Sequence, residues 1–200
     1  MKLAARLMEH TLPYRFWQAP FAEQKFAPIL AYNDLRSARR VLDVGCGPGT
    51  NTHHFVKADY IGIDWNDDYI RYARRRHDRN FLVADVATYT VAPGERFDFI
   101  LLNSFLHHVD PLSARRILTH LGSLLTDDGH VHILDLVLPE RPSIARWLAR
   151  MDRGEYPRPV QELLGIVIGT FERVLFEPYT LNALGIILWE MVYFKGRTKR

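Results

Sequence analysis

Cysteine is nearly absent from this chain of 200 residues, which contains a single one, Cys46. One cysteine permits no internal disulfide, and such usage fits a reducing compartment. It also excludes a zinc site built on several cysteine ligands. We therefore predict no metal site in this protein.

Long apolar runs are lacking as well. The nearest candidate for a membrane span, residues 179–194, is interrupted by Asn182 and Glu190, and a spanning helix needs about 20 predominantly apolar residues. The first ten residues include basic side chains but no apolar stretch of signal-peptide length. We expect a cytoplasmic protein without a membrane partner.

The chain also lacks a large excess of either charge, since its net charge is only +3. Basic residues concentrate in residues 71–79 and 195–200, and such clusters can contact phosphates. A solvated helix face and a terminal tail are the favoured interpretation. Nucleic acid is therefore not the expected partner.

The apolar content that is present, 48% of residues, suits one domain with a full core. Short runs that are aliphatic on both faces predict buried parallel strands. Helical patterns separate several of them, and one opens with the capping residue Asn66. The predicted strands are residues 40–45, 60–64, 81–85, 97–103 and 130–138, and the predicted helices are 66–77 and 110–129. This alternation indicates a doubly wound α/β sheet with right-handed crossovers.

The pattern changes after Leu138. Residues 139–159 are rich in proline, arginine and aromatic side chains and include a short helix over residues 143–151. A helical stretch follows over residues 160–169. Residues 171–181 and 185–196 then predict two strands, which can pair in antiparallel fashion at the edge of the sheet.

Three glycines, Gly45, Gly47 and Gly49, follow the first predicted strand at alternate positions. Ligands of open α/β sheets bind beyond the carboxyl ends of the strands, and glycines there permit a tight turn and close approach of a ligand. We expect a helix to begin directly after this loop and to point free N–H groups at the site. A dinucleotide fingerprint requires Gly or Ala where this chain has Thr50. A purely structural turn is the alternative.

Acidic residues mark the ends of the next two predicted strands. Asp64 can accept hydrogen bonds from both hydroxyls of a ribose. Asp85, followed by the apolar Val86, suits the exocyclic amine and the ring of an adenine. Each alone is more often a simple cap, but two on consecutive strands after a glycine loop favour a nucleoside ligand.

The ordered motifs VLDVGCGPGT, GIDWN, VADV, FDFILLNSFLHHVD and LLTDDGHVHILD resemble those of class I S-adenosylmethionine-dependent methyltransferases, over roughly residues 39–138. The resemblance implies a Rossmann-like sheet of seven strands, mostly parallel with an antiparallel last strand, and S-adenosyl-L-methionine as cofactor. It also assigns the cofactor contacts by part. The methionine moiety would contact Asp43, Gly45, Gly47 and Gly49, with Cys46 as a small loop residue. The ribose would contact Asp64 and Trp65, and the adenine would contact Asp85 and Val86. The sulfonium region would face Asn103 and Ser104.

The whole chain is then one methyltransferase domain. Residues 1–38 form an N-terminal helical cap, residues 39–138 the cofactor-binding core, residues 139–170 a lid or crossover, and residues 171–200 the terminal strand pair. In the cap, Tyr14 or Arg15 would reach the methionyl carboxylate, although packing of an amphipathic helix explains this segment equally well. Trp17 would contact the substrate.

The segment NSFLHHVD after the fourth strand decides the chemistry. It lacks the N-P-P-Y motif of enzymes that methylate amide or adenine nitrogens, and the only cysteine lies in the cofactor loop. His107 and His108 remain as candidate general bases, with His108 preferred. Capping of the next helix or packing on the cofactor is their alternative role.

The lid contains aromatic side chains and arginines, which suit an anionic, partly apolar small molecule. Among them, Trp147 and Arg150 are the predicted substrate contacts. Solvated arginines are the alternative. We therefore expect methylation of a small-molecule acceptor, on oxygen by preference and then on nitrogen or carbon. An RNA methyltransferase, and a cofactor-binding protein that transfers no methyl group, remain open.

Overall fold

The computed structural model describes residues 21–152 and 154–199. The helices of this part are α1 (Ala22–Tyr32), α2 (Asp67–Arg76), α3 (Pro111–Ser123), α4 (Ile144–Met151) and α5 (Val160–Thr170). The strands are β1 (Arg40–Val44), β2 (Asp59–Asp64), β3 (Asn80–Val83), β4 (Phe97–Asn103), β5 (Leu125–Leu136), β6 (Phe171–Ala183) and β7 (Ile186–Thr198). None of the described helices combines the length and the apolarity that crossing a membrane requires.

All seven strands form one sheet in the order β3-β2-β1-β4-β5-β7-β6. The first five strands are parallel, whereas β7 pairs in antiparallel fashion with both β5 and β6. The predicted α/β fold with an antiparallel last strand is confirmed. The strand order reverses between β1 and β4, and a ligand crevice is expected outside the carboxyl ends of these two strands.

Both faces of the sheet are covered, which explains why its strands are apolar on both sides. In β1, Leu42 and Val44 pack in the core that holds α3 and α5, whereas Val41 packs on the opposite face with α1 and α2. α2 begins at Asn66, whose side chain accepts hydrogen bonds from two backbone N–H groups of the first turn.

The helix predicted after the glycine loop does not form. The chain makes only a short 3₁₀ turn, Thr52–His54, before it enters β2. The guanidinium of Arg79 donates to the carbonyl oxygens of Phe55, Val56 and Ala58. A side chain thereby donates to carbonyls that the N–H groups of a continuing helix would otherwise bind, and the Phe55 carbonyl oxygen also accepts from the Ala58 N–H.

The long helix predicted over residues 110–129 also ends early. α3 stops at Ser123, and β5 begins at Leu125, which pairs with Phe97. The Phe97 N–H donates to the Leu124 carbonyl oxygen at 2.9 Å. Residues that the apolar pattern assigned to the helix therefore pair with β4 instead. β3 likewise ends at Val83, two residues before Asp85.

Candidate functional site

The glycine loop lies at the end of β1 and is tied to its neighbour. The N–H groups of Gly45 and Cys46 donate to the Ile63 carbonyl oxygen at 2.8 and 3.1 Å. Gly47 has φ of 53°, and a Cβ added there would meet nothing within 4 Å. The loop therefore presents bare backbone to open space, which is the arrangement that close approach of a ligand requires.

This open space is a cleft of about 480 Å³ at the predicted crevice. Small-molecule pockets usually measure about 300–1,000 Å³. The wall includes the loop, the end of β4 and parts of α1 and α2: Ala22, Lys25, Gly45, Cys46, Gly47, Pro48, Thr50, Asn51, His53, Tyr72, Arg76, His77, Asn103 and Ser104. Five predicted cofactor residues, Gly45, Cys46, Gly47, Asn103 and Ser104, thus line one cleft.

Asp43 anchors a chain of polar side chains beneath the loop. Its Oδ2 accepts from the Tyr60 hydroxyl at 2.7 Å and from Asn51 Nδ2 at 3.1 Å, and Asn51 Oδ1 accepts from Asn103 Nδ2 at 3.0 Å. Burial raises the pKa of Asp43 to about 6, although the bonds from Tyr60 and Asn51 oppose the shift. Asp43 Oδ1 is buried without a hydrogen-bond partner among the described residues. Such an orphaned acceptor fits a bound polar group such as an ammonium.

Asp64 supports the same loop from the end of β2. Its Oδ2 accepts from the Gly47 N–H at 2.9 Å, and its Oδ1 accepts from the Asn66 N–H at 2.8 Å. The Trp65 N–H also donates to Asp64. A carboxylate has about four lone-pair positions, so Asp64 keeps acceptor capacity for one further donor such as a ribose hydroxyl.

The remaining predicted nucleoside contacts lie farther out. Trp65 is 84% exposed, Asp85 is exposed and accepts from the Ala87 N–H, and Val86 is buried. None of the three belongs to the described lining of the 480 Å³ cleft. Gly49 is adjacent to the cleft, with φ of 80°.

His107 is buried between two carboxylates. Its Nδ1 lies 2.5 Å from Asp135 Oδ1, and its Nε2 lies 3.1 Å from Asp152 Oδ2. Burial alone lowers the pKa of His107, but the two carboxylates outweigh it and raise the pKa to about 9. Both ring nitrogens therefore carry protons near neutral pH, and neither offers the lone pair that a general base needs.

His108 occupies a different environment. Its side chain is exposed, and it does not belong to the described lining of the cleft or of the neighbouring cavity. Its ring centroid lies 4.1 Å from that of His107. The two rings are thus in contact, but only that of His107 is buried.

Sequence reasoning missed Lys25. Its Nζ donates to Ser104 Oγ at 2.9 Å, and its side chain lines both the cleft and the neighbouring cavity. Burial lowers the pKa of Lys25 to about 8, against the opposing charges of Asp135 and Asp152. Lys25 follows the polar residues Glu23 and Gln24 in α1, and its partner is 79 residues away. No signal in the sequence distinguishes it from an ordinary surface lysine.

The neighbouring cavity is small, about 20 Å³, which is room for about one water. Its lining is Phe21, Lys25, Ser104, His107, Leu136, Asp152, Leu181, Trp189 and Met191. It is therefore a mostly apolar recess, and it shares Lys25 and Ser104 with the cleft.

Residues 139–159, the lid segment, contribute less than predicted to these cavities. Trp147 is 62% exposed, Arg150 is exposed, and neither belongs to the described lining of the cleft or the recess. Arg158 is instead buried and donates to the carbonyl oxygens of Leu106 and Val109. This arginine holds the segment against the end of β4. Tyr14, Arg15 and Trp17 lie outside the described residues.

The basic cluster of residues 71–79 is largely engaged within the fold. Arg71 forms ion pairs with Asp67 and Asp68, and Arg74 donates to the Phe81 carbonyl oxygen. Arg79 binds three further carbonyls, as described above. Few of these cations are thus available to phosphates, which argues against the RNA alternative.

Comparison with known proteins places this site in context. A family model described as "Methyltransferase domain" matches residues 12–167. The trans-aconitate 2-methyltransferase of Delftia acidovorans is 37% identical over 99 residues, which cover 44% of this chain and 37% of that protein. A ubiquinone biosynthesis O-methyltransferase of Rhodopseudomonas palustris is 27% identical over 163 residues, covering 71% of this chain and 64% of that protein. The match thus spans well under half the length of the first of these relatives.

Solved structures show the same fold. The PH0226 protein of Pyrococcus horikoshii superposes with a TM-score of 0.70 at 16% identity and covers 91% of this chain and 92% of its own. The N-methyltransferase NodS of Bradyrhizobium japonicum, in complex with S-adenosyl-L-homocysteine, gives 0.68 at 15% identity and covers 92% and 88%. Because the family model accounts for residues 12–167, more than half of the chain, the protein belongs to the methyltransferase domain family, and its predicted membership of the class I S-adenosylmethionine-dependent enzymes is confirmed.

Proposed function

We propose that this protein transfers a methyl group from S-adenosyl-L-methionine to an oxygen of a small anionic acceptor, such as a carboxylate. The relatives support both parts of the proposal, since one is named for trans-aconitate, an organic anion, and another for O-methylation. The observation that carries it is the position of Lys25, whose ammonium lies where the cleft meets the apolar recess.

The cofactor fits the cleft and the two buried carboxylates, Asp43 and Asp64, that support its glycine loop. Gly47 leaves room against the backbone, Asp64 keeps acceptor capacity, and the orphaned Asp43 Oδ1 requires a donor. Bound there, the cofactor supplies an activated methyl group on a sulfonium. The protein has to hold the acceptor in line with that methyl group and to exclude water.

Lys25 performs the first of these tasks. An ammonium at the border of the recess attracts an anionic acceptor and orients its oxygen toward the end of β4, where Ser104 accepts a hydrogen bond from Nζ. The apolar side chains of Leu136, Trp189 and Met191 line the same recess and limit the water beside Lys25. The recess has room for about one water, so the acceptor has to lie in the cleft at its border.

An anionic acceptor oxygen also agrees with the protonated state of His107, which cannot act as a general base. A carboxylate nucleophile carries no proton near neutral pH, so its methylation requires no general base. His107 then serves to hold Asp152, and with it the lid segment, against Asp135 of β5. The role predicted for His108 stays a prediction: a His108→Ala variant with lower turnover and unchanged cofactor affinity would support it.

The test supplies purified protein with the cofactor and size-matched panels of carboxylic acids, phenols and amines, and detects S-adenosylhomocysteine by mass spectrometry. We expect turnover with carboxylates. Lys25→Met should weaken kcat/KM by about ten- to hundredfold, the value of a hydrogen bond to a charged group. Lys25→Arg should retain part of the activity, and calorimetry should show nearly unchanged cofactor affinity in both variants.

Other outcomes would contradict the proposal. Amines as the preferred acceptors, or an unchanged kcat/KM in Lys25→Met, would refute the proposal that the acceptor is anionic. Cofactor binding without S-adenosylhomocysteine in any panel would favour a binding protein that transfers no methyl group.

A further inference from the structure

Three potential metal ligands meet beside the cleft. Glu23 lies in the first turn of α1, and His53 and His54 form the end of the 3₁₀ turn that follows the glycine loop. One ligand atom from each lies within 4.8 Å of the others, and His53 Nε2 is 3.6 Å from Glu23 Oε1. We infer that Glu23, His53 and His54 bind a divalent transition-metal cation of the Zn²⁺ class.

Both imidazole rings are held in place before any ion arrives. His53 Nδ1 lies 3.0 Å from the Thr50 carbonyl oxygen, which can only accept, so Nδ1 carries the proton and Nε2 offers its lone pair. His54 is stacked on the buried Phe26 at 4.0 Å with an interplanar angle of 2°. A backbone carbonyl on the second ring nitrogen is a common means of orienting a metal-binding histidine.

The distances and charges suit a small dication. Two ligands of a tetrahedral zinc ion, each at about 2.1 Å, lie about 3.4 Å apart, close to the distance between His53 and Glu23. Two imidazoles and one carboxylate are a set that zinc accepts with its fourth position open.

A second convergence in the described residues, His107, His108 and Asp152, is less suitable. There a proton already bridges His107 and Asp152, and the nearby ammonium of Lys25 repels a cation. The site at Glu23 instead links α1 to the turn after the glycine loop. A bound ion would therefore tie the helix that carries Lys25 to the cofactor cleft.

The experiment uses full-length protein without a polyhistidine tag, freed of metal with a chelator. Zn²⁺ is titrated by calorimetry, and Co²⁺ is followed by its visible ligand-field absorption. We expect one ion per chain, and at least about tenfold weaker binding in Glu23→Gln, His53→Ala and His54→Phe. Phenylalanine keeps the stacking on Phe26, and the Glu23 and His53 side chains are mostly exposed, so these variants should fold.

His120→Ala and Asp152→Asn are the matched controls and should bind zinc like the wild type, because neither side chain belongs to the proposed site. Unchanged affinity in Glu23→Gln and His53→Ala would overturn the inference. Saturation only at millimolar zinc would also overturn it, as would loss of binding in Asp152→Asn alone. The readout does not involve methyl transfer and is therefore independent of the proposed function.

Discussion

His107 makes the stability of this protein depend on pH in a calculable way. Its folded pKa of about 9 exceeds the ordinary value of 6.5 because Asp135 and Asp152 outweigh the effect of burial. Between these two values the folded state binds more protons than the unfolded state, so the free energy of unfolding falls as pH rises. The contribution is fully present below pH 6.5 and is lost as pH passes 9.

The magnitude follows from the shift. With about 1.36 kcal/mol per pKa unit, the protonated His107 contributes at most about 3 kcal/mol. Most of this contribution remains at pH 7, and only about 1 kcal/mol remains at pH 8.5. Removing the ring leaves two buried carboxylates without their cation, so His107→Gln should be destabilised by about 3–5 kcal/mol at neutral pH.

Urea denaturation of the wild type and His107→Gln at several pH values provides the assay. The difference between their free energies of unfolding should shrink by about 2 kcal/mol from pH 7 to pH 8.5. Taking the difference cancels groups that titrate in both proteins. A difference that stays constant over this range would refute the reasoning, because it would mean that His107 does not hold its extra proton.

Lys25 provides a control of opposite sign. Burial lowers its folded pKa to about 8 from 10.5, so in that window the unfolded state binds more protons, and stability rises with pH. The difference between wild type and Lys25→Met should therefore grow in favour of the wild type from pH 8 to pH 10. If it instead shrinks, as predicted for His107, the two shifts have been assigned wrongly.

Three further substitutions test the glycine loop and the strand β2 beside it. Gly47→Ala should cost about 1–2 kcal/mol of stability through its φ of 53°, and calorimetry should show cofactor affinity reduced about tenfold by the intruding methyl group; undiminished affinity would place the cofactor elsewhere. Gly62→Ala puts a Cβ 2.8 Å from Phe81 and 2.9 Å from Cys46 Sγ. Urea denaturation should therefore show that the free energy of unfolding falls by about 1–3 kcal/mol. An unchanged stability would mean that the neighbouring side chains move aside at little cost. Asp64→Asn removes a carboxylate from the loop and the ribose, so cofactor binding should weaken in calorimetry, and equal binding would exclude Asp64 from the site.

Much of the fold was predictable because apolar periodicity is a local property. Leu42 and Val41 face opposite layers, and a strand buried on both sides must be apolar at every position. The helix boundaries were less predictable. Leu124 and Leu125 continue the apolar helical spacing of α3, but Leu125 pairs with Phe97 and begins β5 instead.

Some features of the site were likewise predictable from the sequence, and others were not. The glycine loop could be recognised from its spacing, and Asp64 from its place at a strand end. The pairing of Lys25 with Ser104 could not, because it joins α1 to β4. The burial of His107 was equally hidden, since its carboxylate partners lie 28 and 45 residues farther along the chain.

The amino-acid sequence by itself determined the doubly wound architecture, the glycine loop and the class of enzyme to which the chain belongs. These depend on residue types at short, regular spacings, which the backbone turns into the same local structure wherever they occur. Only the tertiary structure decided which side chains acquire chemistry: it surrounded His107 with carboxylates and brought Lys25 to the border of the cleft. A pKa or a ligand set depends on neighbours in space, and neighbours in space are chosen by packing across the sheet.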